Sequence, residues 1–236
     1  MDNKTPPNGI DDTAITIDFS LGALNSARLS ERRGDRRGSI RSYAHTWRAS
    51  ASSGNLHLAA IAREELFSSA LLVNDTIFVS AIYRELISTF SDPDTLMAGF
   101  AHHDLGKIFR NAWQHGELLN PSEALKHLIA ARDIFIALWE AKSSALAEMD
   151  IAHIYMHIDK VEQAVTLLES AQATWKSLEE PAGSAECCLS IGDCLTILNK
   201  NEEAVHAYRQ AATDFELAGN QAQASLAIKR VESDLI

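Results

Sequence analysis

Apolar residues recur along most of this chain at helical intervals, and no segment alternates apolar with polar long enough to mark a half-buried strand. Ile40, Tyr43, Ala44 and Trp47 predict one helix from Ser39 onward, broken at Ser53-Gly54-Asn55. Leu56 to about Val73 predicts the next. Asn74-Asp75 punctuates it, and Ile77, Ala81, Ile82, Leu86, Ile87 and Phe90 predict a third. Ser91-Asp92-Pro93 reads as a stop followed by a start, because Asp accepts from the early N–H groups and Pro fits a first turn; the helix it opens is expected over 93–114. Asn120-Pro121-Ser122-Glu123 is a start signal of the capping-box kind, and further helices are expected over about 121–140, 143–158, 161–178, 184–198, 201–217 and 221–235. Their linkers are short, so neighbours must run antiparallel.

Within this series one pattern returns at a fixed spacing of forty residues. Ala124, Leu128, Ala131 and Phe135 recur as Ala164, Leu168, Ala171 and Trp175, and again as Ala204, Tyr208, Ala211 and Phe215. A companion pattern lies in the preceding helices, where Ile151, Ala152 and Tyr155 return as Ile191, Gly192 and Leu195, and Leu105, Gly106 and Phe109 share the internal spacing. Such a period marks a solenoid of helix pairs, each too small to bury its own apolar face alone. The small residues let helices approach closely, and the bulky ones fill what space remains.

These two patterns resemble the motif of the tetratricopeptide repeat (TPR) family: a bulky-small pair and an aromatic in the first helix, then Ala, a bulky residue and Ala in the second. The match covers about residues 100–217, with a period of forty instead of the usual 34 or so, as in longer-helix branches such as kinesin light chains and bacterial peptide-sensing regulators. The resemblance implies an all-α, right-handed superhelix of antiparallel helix pairs, a TPR-like α-solenoid over 39–236 with a capping helix at 221–235. It also implies an interaction protein that holds a partner protein or peptide along the concave row of first helices. Carried over position by position, that groove comprises Phe100, His103, Lys107 and Arg110, then Met149, His153 and Met156, then Glu186, Leu189, Asp193 and Thr196. A regulatory sensor closing on a short signal peptide is the alternative within the same branch.

Composition narrows the partner. The chain has 236 residues and a formal charge of −11, which argues against binding nucleic acid through the body of the fold. Arg28 to Arg48 is the exception: seven arginines against Glu31 and Asp35 give +5 locally and leave −16 elsewhere, a block that reads first as a solvated segment leaning on the acidic body and second as one that steers an anionic partner. Residues 1–38 are otherwise rich in Asp, Asn, Pro and Thr and are expected to form a disordered tail. No run reaches the roughly 20 apolar residues of a spanning helix, so no membrane association is expected. Cys187, Cys188 and Cys194 fall within eight residues without Cys-x-x-Cys spacing and read as packed, reduced thiols of a cytoplasmic protein.

Candidate chemistry is sparse. His102-His103-Asp104 resembles the metal-binding signature of HD-domain phosphohydrolases, with His57 and Asp150 or Asp159 as conceivable further ligands for a water-activating metal. The repeat accounts for the same Leu105-Gly106 step without metal, so no catalytic set, metal or cofactor is expected. Arg33-Gly34-Asp35 and Arg36-Arg37-Gly38-Ser39, an integrin-type tripeptide and a kinase-type acceptor site, are read as chance products of the arginine run.

Overall fold

The structure, a computed structural model, describes residues 12–90 and 95–234, with side chains from Leu21 to Phe90 and from Thr95 to Glu232. All secondary structure among them is α-helical, and the chain divides into two compact units, Met1–Ser91 and Asp92–Ile236.

The first unit holds α1 (Asp12–Arg32), α2 (Arg36–Ser52), α3 (Leu56–Leu71) and α4 (Thr76–Thr89). Its helices start on a regular beat. Asp35, Asn55 and Asp75 are N-caps twenty residues apart, and their side chains accept from the backbone N–H groups of Gly38, Leu58 and Phe78. Gly34 and Gly54 precede two of these caps with positive φ, the conformation that lets one helix stop and the next begin within three residues. Trp47, fully buried, meets the edge of Tyr83 and the tilted ring of Phe90. Leu24 and Ala27 of α1 are also buried, so apolar burial holds as a helix much of the stretch expected to be a tail. The tail expectation for 1–38 is corrected from residue 12 onward, and residues 1–11 lie outside the described part. Ser39 is fully buried with its hydroxyl donating to Arg36 O, which removes the kinase-type motif as an accessible signal, while Arg33-Gly34-Asp35 stays exposed with Asp35 capping α2.

The second unit holds α5 (Leu96–Gln114), α6 (Ser122–Ala137), α7 (Ala141–His157), α8 (Val161–Ser177), α9 (Pro181–Ile197), α10 (Asn201–Leu217) and α11 (Gln221–Asp234). The start expected at Asp92-Pro93 is replaced by Thr95, whose hydroxyl accepts from Ala98 N; residues 91–94 lie outside the described part. Asn120 does accept from Ser122 N and Oγ, whereas Glu123 turns toward Lys126 and His127 instead of closing a capping box. From α6 onward the turns change chemistry. Trp139, Asp159, Glu179, Asn199 and Gly219 stand twenty residues apart, all at positive φ, and each following N–H reaches back to a carbonyl of the helix just ended, as in Glu140 N to Phe135 O at 2.8 Å.

Between these turns the repeated residues do what their sizes suggest. A Cβ at Gly106 would lie 2.7 Å from Leu128 Cγ, at Gly99 2.7 Å from Phe135 Cε1, and at Gly192 2.6 Å from Tyr208 Cδ1. Each is a seat for a bulky side chain of the paired helix. Ala164, Leu168, Ala171, Ala204 and Ala211 are fully buried, and Trp175, Tyr208 and Phe215 nearly so. At the far end α11 buries Ala224, Ala227 and Val231 and exposes Lys229, Arg230 and Glu232, the polar outer face a terminal helix needs.

Candidate partner-binding site

The residues expected to line a groove lie on the first helix of each pair, α5, α7 and α9. Their centre is an acid absent from the expected set. Asp150 Oδ2 accepts from His103 Nε2 at 2.8 Å, and Arg110 Nη1 donates to its other oxygen. Burial alone would raise the Asp150 pKa, but the hydrogen bond and charge of His103, then Arg110 and Lys107, outweigh it and hold the carboxyl far below the usual carboxylate range. One turn further along α7, His153 Nε2 lies 3.3 Å from Ser190 Oγ of α9, and its own pKa is pushed down, chiefly by burial. Asp193 then accepts from Tyr208 OH at 2.8 Å and faces Arg230 Nη1 of α11 at 3.6 Å. The row therefore reads cation, acid, imidazole, acid, cation, with each charge answered by a neighbour from an adjacent helix.

The remaining expected residues divide by depth. Glu186 is exposed; Phe100, Lys107, Arg110, His153, Met156, Leu189, Asp193 and Thr196 are half-buried and reachable from solvent. His103 is buried, its ring edge-to-face with Phe135 at 6.1 Å between centroids, so it reaches a partner only through Asp150. Met149 is core. It is 5% exposed and its Sδ accepts from Trp175 Nε1 at 3.3 Å, so its thioether is occupied by packing. Met156 packs its stem on the same cluster and keeps part of its surface free.

A readable signal did point to Asp150. The position before each bulky-small pair is Asp104, Asp150 and Ser190, a polar column inside an otherwise apolar register. From sequence, Asp104 and Asp150 of this column read as possible metal ligands, whereas the partners of Asp150, His103 and Arg110, come from another helix.

The HD-like set is not assembled. His102 Nδ1 lies 2.9 Å from His127 Nδ1 while His103 turns to Asp150; Asp104 is 2% exposed, His57 is exposed on α3 of the first unit, and Asp159 occupies a turn. Among the described residues no group of three or more His, Cys, Asp or Glu side chains is placed to hold a metal ion. The three cysteines are unpaired and buried, which pushes their thiols up to about 12, 11 and 12 for Cys187, Cys188 and Cys194.

Residues 97–226, more than half of the chain, match the family described as soluble NSF attachment protein, SNAP. The chain belongs to that family. Human alpha-soluble NSF attachment protein is 24% identical over 113 residues, 48% of this chain and 38% of the human protein, so the chain spans well under half of that relative. Solved structures repeat the architecture at lower identity. A Signal Transduction ATPase with Numerous Domains (STAND) protein with a tetratricopeptide repeat sensor, from Pyrococcus horikoshii, superposes with a TM-score of 0.69 at 13% identity, over 94% of this chain and 34% of that one. TPR-like repeats of a putative kinesin light chain from Podosopora anserina give 0.58 at 14%, over 84% and 95%. A Rap protein complexed with Competence and Sporulation Factor gives 0.56 at 14%, over 94% and 70%. The fold is thus a TPR-like α-solenoid, as the forty-residue pattern implies. No helix among the described residues is long and apolar enough to cross a membrane.

Proposed function

We propose that this SNAP-family chain is a cytoplasmic adaptor that holds a partner protein or peptide against the first-helix row of its second unit. The observation that supports this most is the half-buried row itself. Arg110, His153, Asp193 and Thr196 offer polar groups held in hydrogen-bond chains, with the charge of Lys107 near Asp150, beside the apolar Phe100, Met156 and Leu189. Such a surface can accept a segment's backbone and apolar side chains without first rearranging, which limits the entropy lost on binding. The family's name describes attachment to another protein, NSF, which supports an adaptor more than a catalyst. Three buried, unpaired thiols suit a reducing compartment.

Affinity capture tests the reading with Lys107→Glu and Glu186→Arg, two changes of charge at groove positions outside the core. Both variants should fold and lose the partners that the wild type recovers. Unchanged recovery with intact circular dichroism overturns the groove. The sensor alternative has support in the Rap structure, which was solved with Competence and Sporulation Factor, and it requires ligand-induced compaction in small-angle scattering, whereas a rigid adaptor shows none.

A further inference from the structure

The arginine-rich stretch that opens the fold is used by nothing described so far, and it lies outside the residues matched to the family. In the first unit it forms one wall of a cleft. Arg37, Arg41, His45 and Arg48 follow one another at helical spacing along α2. Opposite them α4 contributes Asp75, Phe78, Ile82, Glu85 and Leu86. The cleft itself measures about 260 Å³, and Ala44, Ile82 and Leu86 supply its apolar lining. That volume is below the roughly 300–1,000 Å³ of small-molecule sites and suits a side chain or two.

The cations along this wall are unequally matched. Arg37 pairs with Asp75, and Arg48 reaches Glu85 at 3.3 Å while donating to His45 Nδ1 at 3.3 Å. Arg41 has no carboxylate partner among the described residues. Its guanidinium lies 5.3 Å from the centroid of the Phe78 ring, which Arg37 also approaches at 5.2 Å. One aromatic ring thus holds two like charges, and the one carboxylate beside them pairs with Arg37. A guanidinium fixed in this way still presents its fork of N–H donors for bidentate pairing.

We propose that the α2/α4 cleft binds a short acidic segment of a partner protein, its carboxylates meeting Arg41 and Arg48 while one bulky apolar side chain enters between Ala44, Ile82 and Leu86. Charge complementarity commits the occupant. The rest of this chain carries −16, so an acidic segment is repelled elsewhere and drawn to this wall. Asp75 and Glu85 on the facing wall disfavour a dense polyanion such as nucleic acid or a sheet of lipid phosphates, which cannot leave gaps for them. A peptide with spaced carboxylates can.

The probe is a fluorescein-labelled peptide of Asp and Glu with two Leu residues, followed by anisotropy against the full chain. Binding is expected at about 50 mM salt and should weaken strongly at about 500 mM. Arg41→Ala should weaken it about tenfold, and Ile82→Ser should abolish the preference over the same peptide with Ser for Leu. Arg209→Ala, at an exposed position of α10, and the groove variants Lys107→Glu and Glu186→Arg should leave it unchanged, which separates this cleft from the adaptor surface of the second unit. Equal binding of the Leu-free peptide, or no effect of Arg41→Ala in a chain that folds, overturns the proposal. Self-association at low salt that Arg41→Ala removes would give the cleft to a second copy, and tighter capture by phosphatidylserine vesicles would give it to a membrane; either also overturns it.

Discussion

Replacing Gly192 by Ala sets helix propensity against packing, and the structure decides the sign. In an exposed helix interior the change stabilises by about 0.8–1 kcal/mol, because glycine has more backbone freedom to lose. At this seat the new methyl would stand 2.6 Å from Tyr208 Cδ1 and 2.9 Å from Cζ. The ring has nowhere to go: Tyr208 is 1% exposed, and its hydroxyl donates to Asp193 at 2.8 Å and lies 3.2 Å from Thr196 Oγ1. Overpacking of this kind costs about 1–3 kcal/mol. Tilting the ring away instead loses a hydrogen bond to a carboxylate, about 1.5–3 kcal/mol. Over most of either range the loss exceeds the propensity gain, so Gly192→Ala should lower stability, by up to about 2 kcal/mol net. Urea unfolding followed by circular dichroism reads this as a lower midpoint at unchanged slope. Adding Tyr208→Leu rebuilds the Ala152 and Leu168 combination that the preceding helix pair already uses, and should cancel much of the penalty. A higher midpoint in the single variant, or strict additivity in the double, refutes the seat-and-filler account.

Asp150→Asn should cost about 3–5 kcal/mol, since it leaves the half-buried Arg110 and the buried His103 without their carboxylate. Because the Asp150 pKa is depressed in the folded state, its contribution is present above the unfolded value of about 3.9 and fades as pH falls toward the folded one. Stability measured from pH 6 or so downward should therefore drop more steeply below about 4 in the wild type than in the variant. Trp139→Gly should stabilise by roughly 0.5–1 kcal/mol, because Trp139 sits at φ 60° and is 92% exposed, so it gives up strain and little packing. A lower melting temperature in Trp139→Gly would show that the indole contributes contacts the turn geometry does not reveal.

Much of the second unit was legible in advance because close helix approach leaves few choices. Where two backbones nearly touch, only Ala or Gly fits, so Ala124, Ala164 and Ala204 repeat almost without variation. The turns were harder to read. Trp139, Asp159, Glu179, Asn199 and Gly219 share a backbone conformation and no side-chain chemistry, since the geometry is set by backbone hydrogen bonds. The helix of Ile40, Tyr43 and Trp47 was legible from its apolar period, but the stretch before it was not: the polar composition of residues 1–38 suggested a tail, yet Leu24 and Ala27 of α1 bury apolar surface that holds a helix there. Within the candidate groove, depth was the missing variable. Met149 and Met156 lie seven residues apart on α7, but the first is buried with its sulfur accepting from Trp175 while the second stays half-buried.

Twenty residues carry the backbone from one turn to the next throughout 139–219, and this regularity restricts how such a chain can change length. Losing or gaining a single helix would exchange the roles of all those downstream, presenting fillers where seats are needed. A duplication of forty preserves every contact, and a short insertion survives when it falls in a linker, as the longer connection after α5 does. Growth of this architecture is therefore quantised: recombination succeeds in whole pairs or in surface linkers, and other lengths scramble the interior.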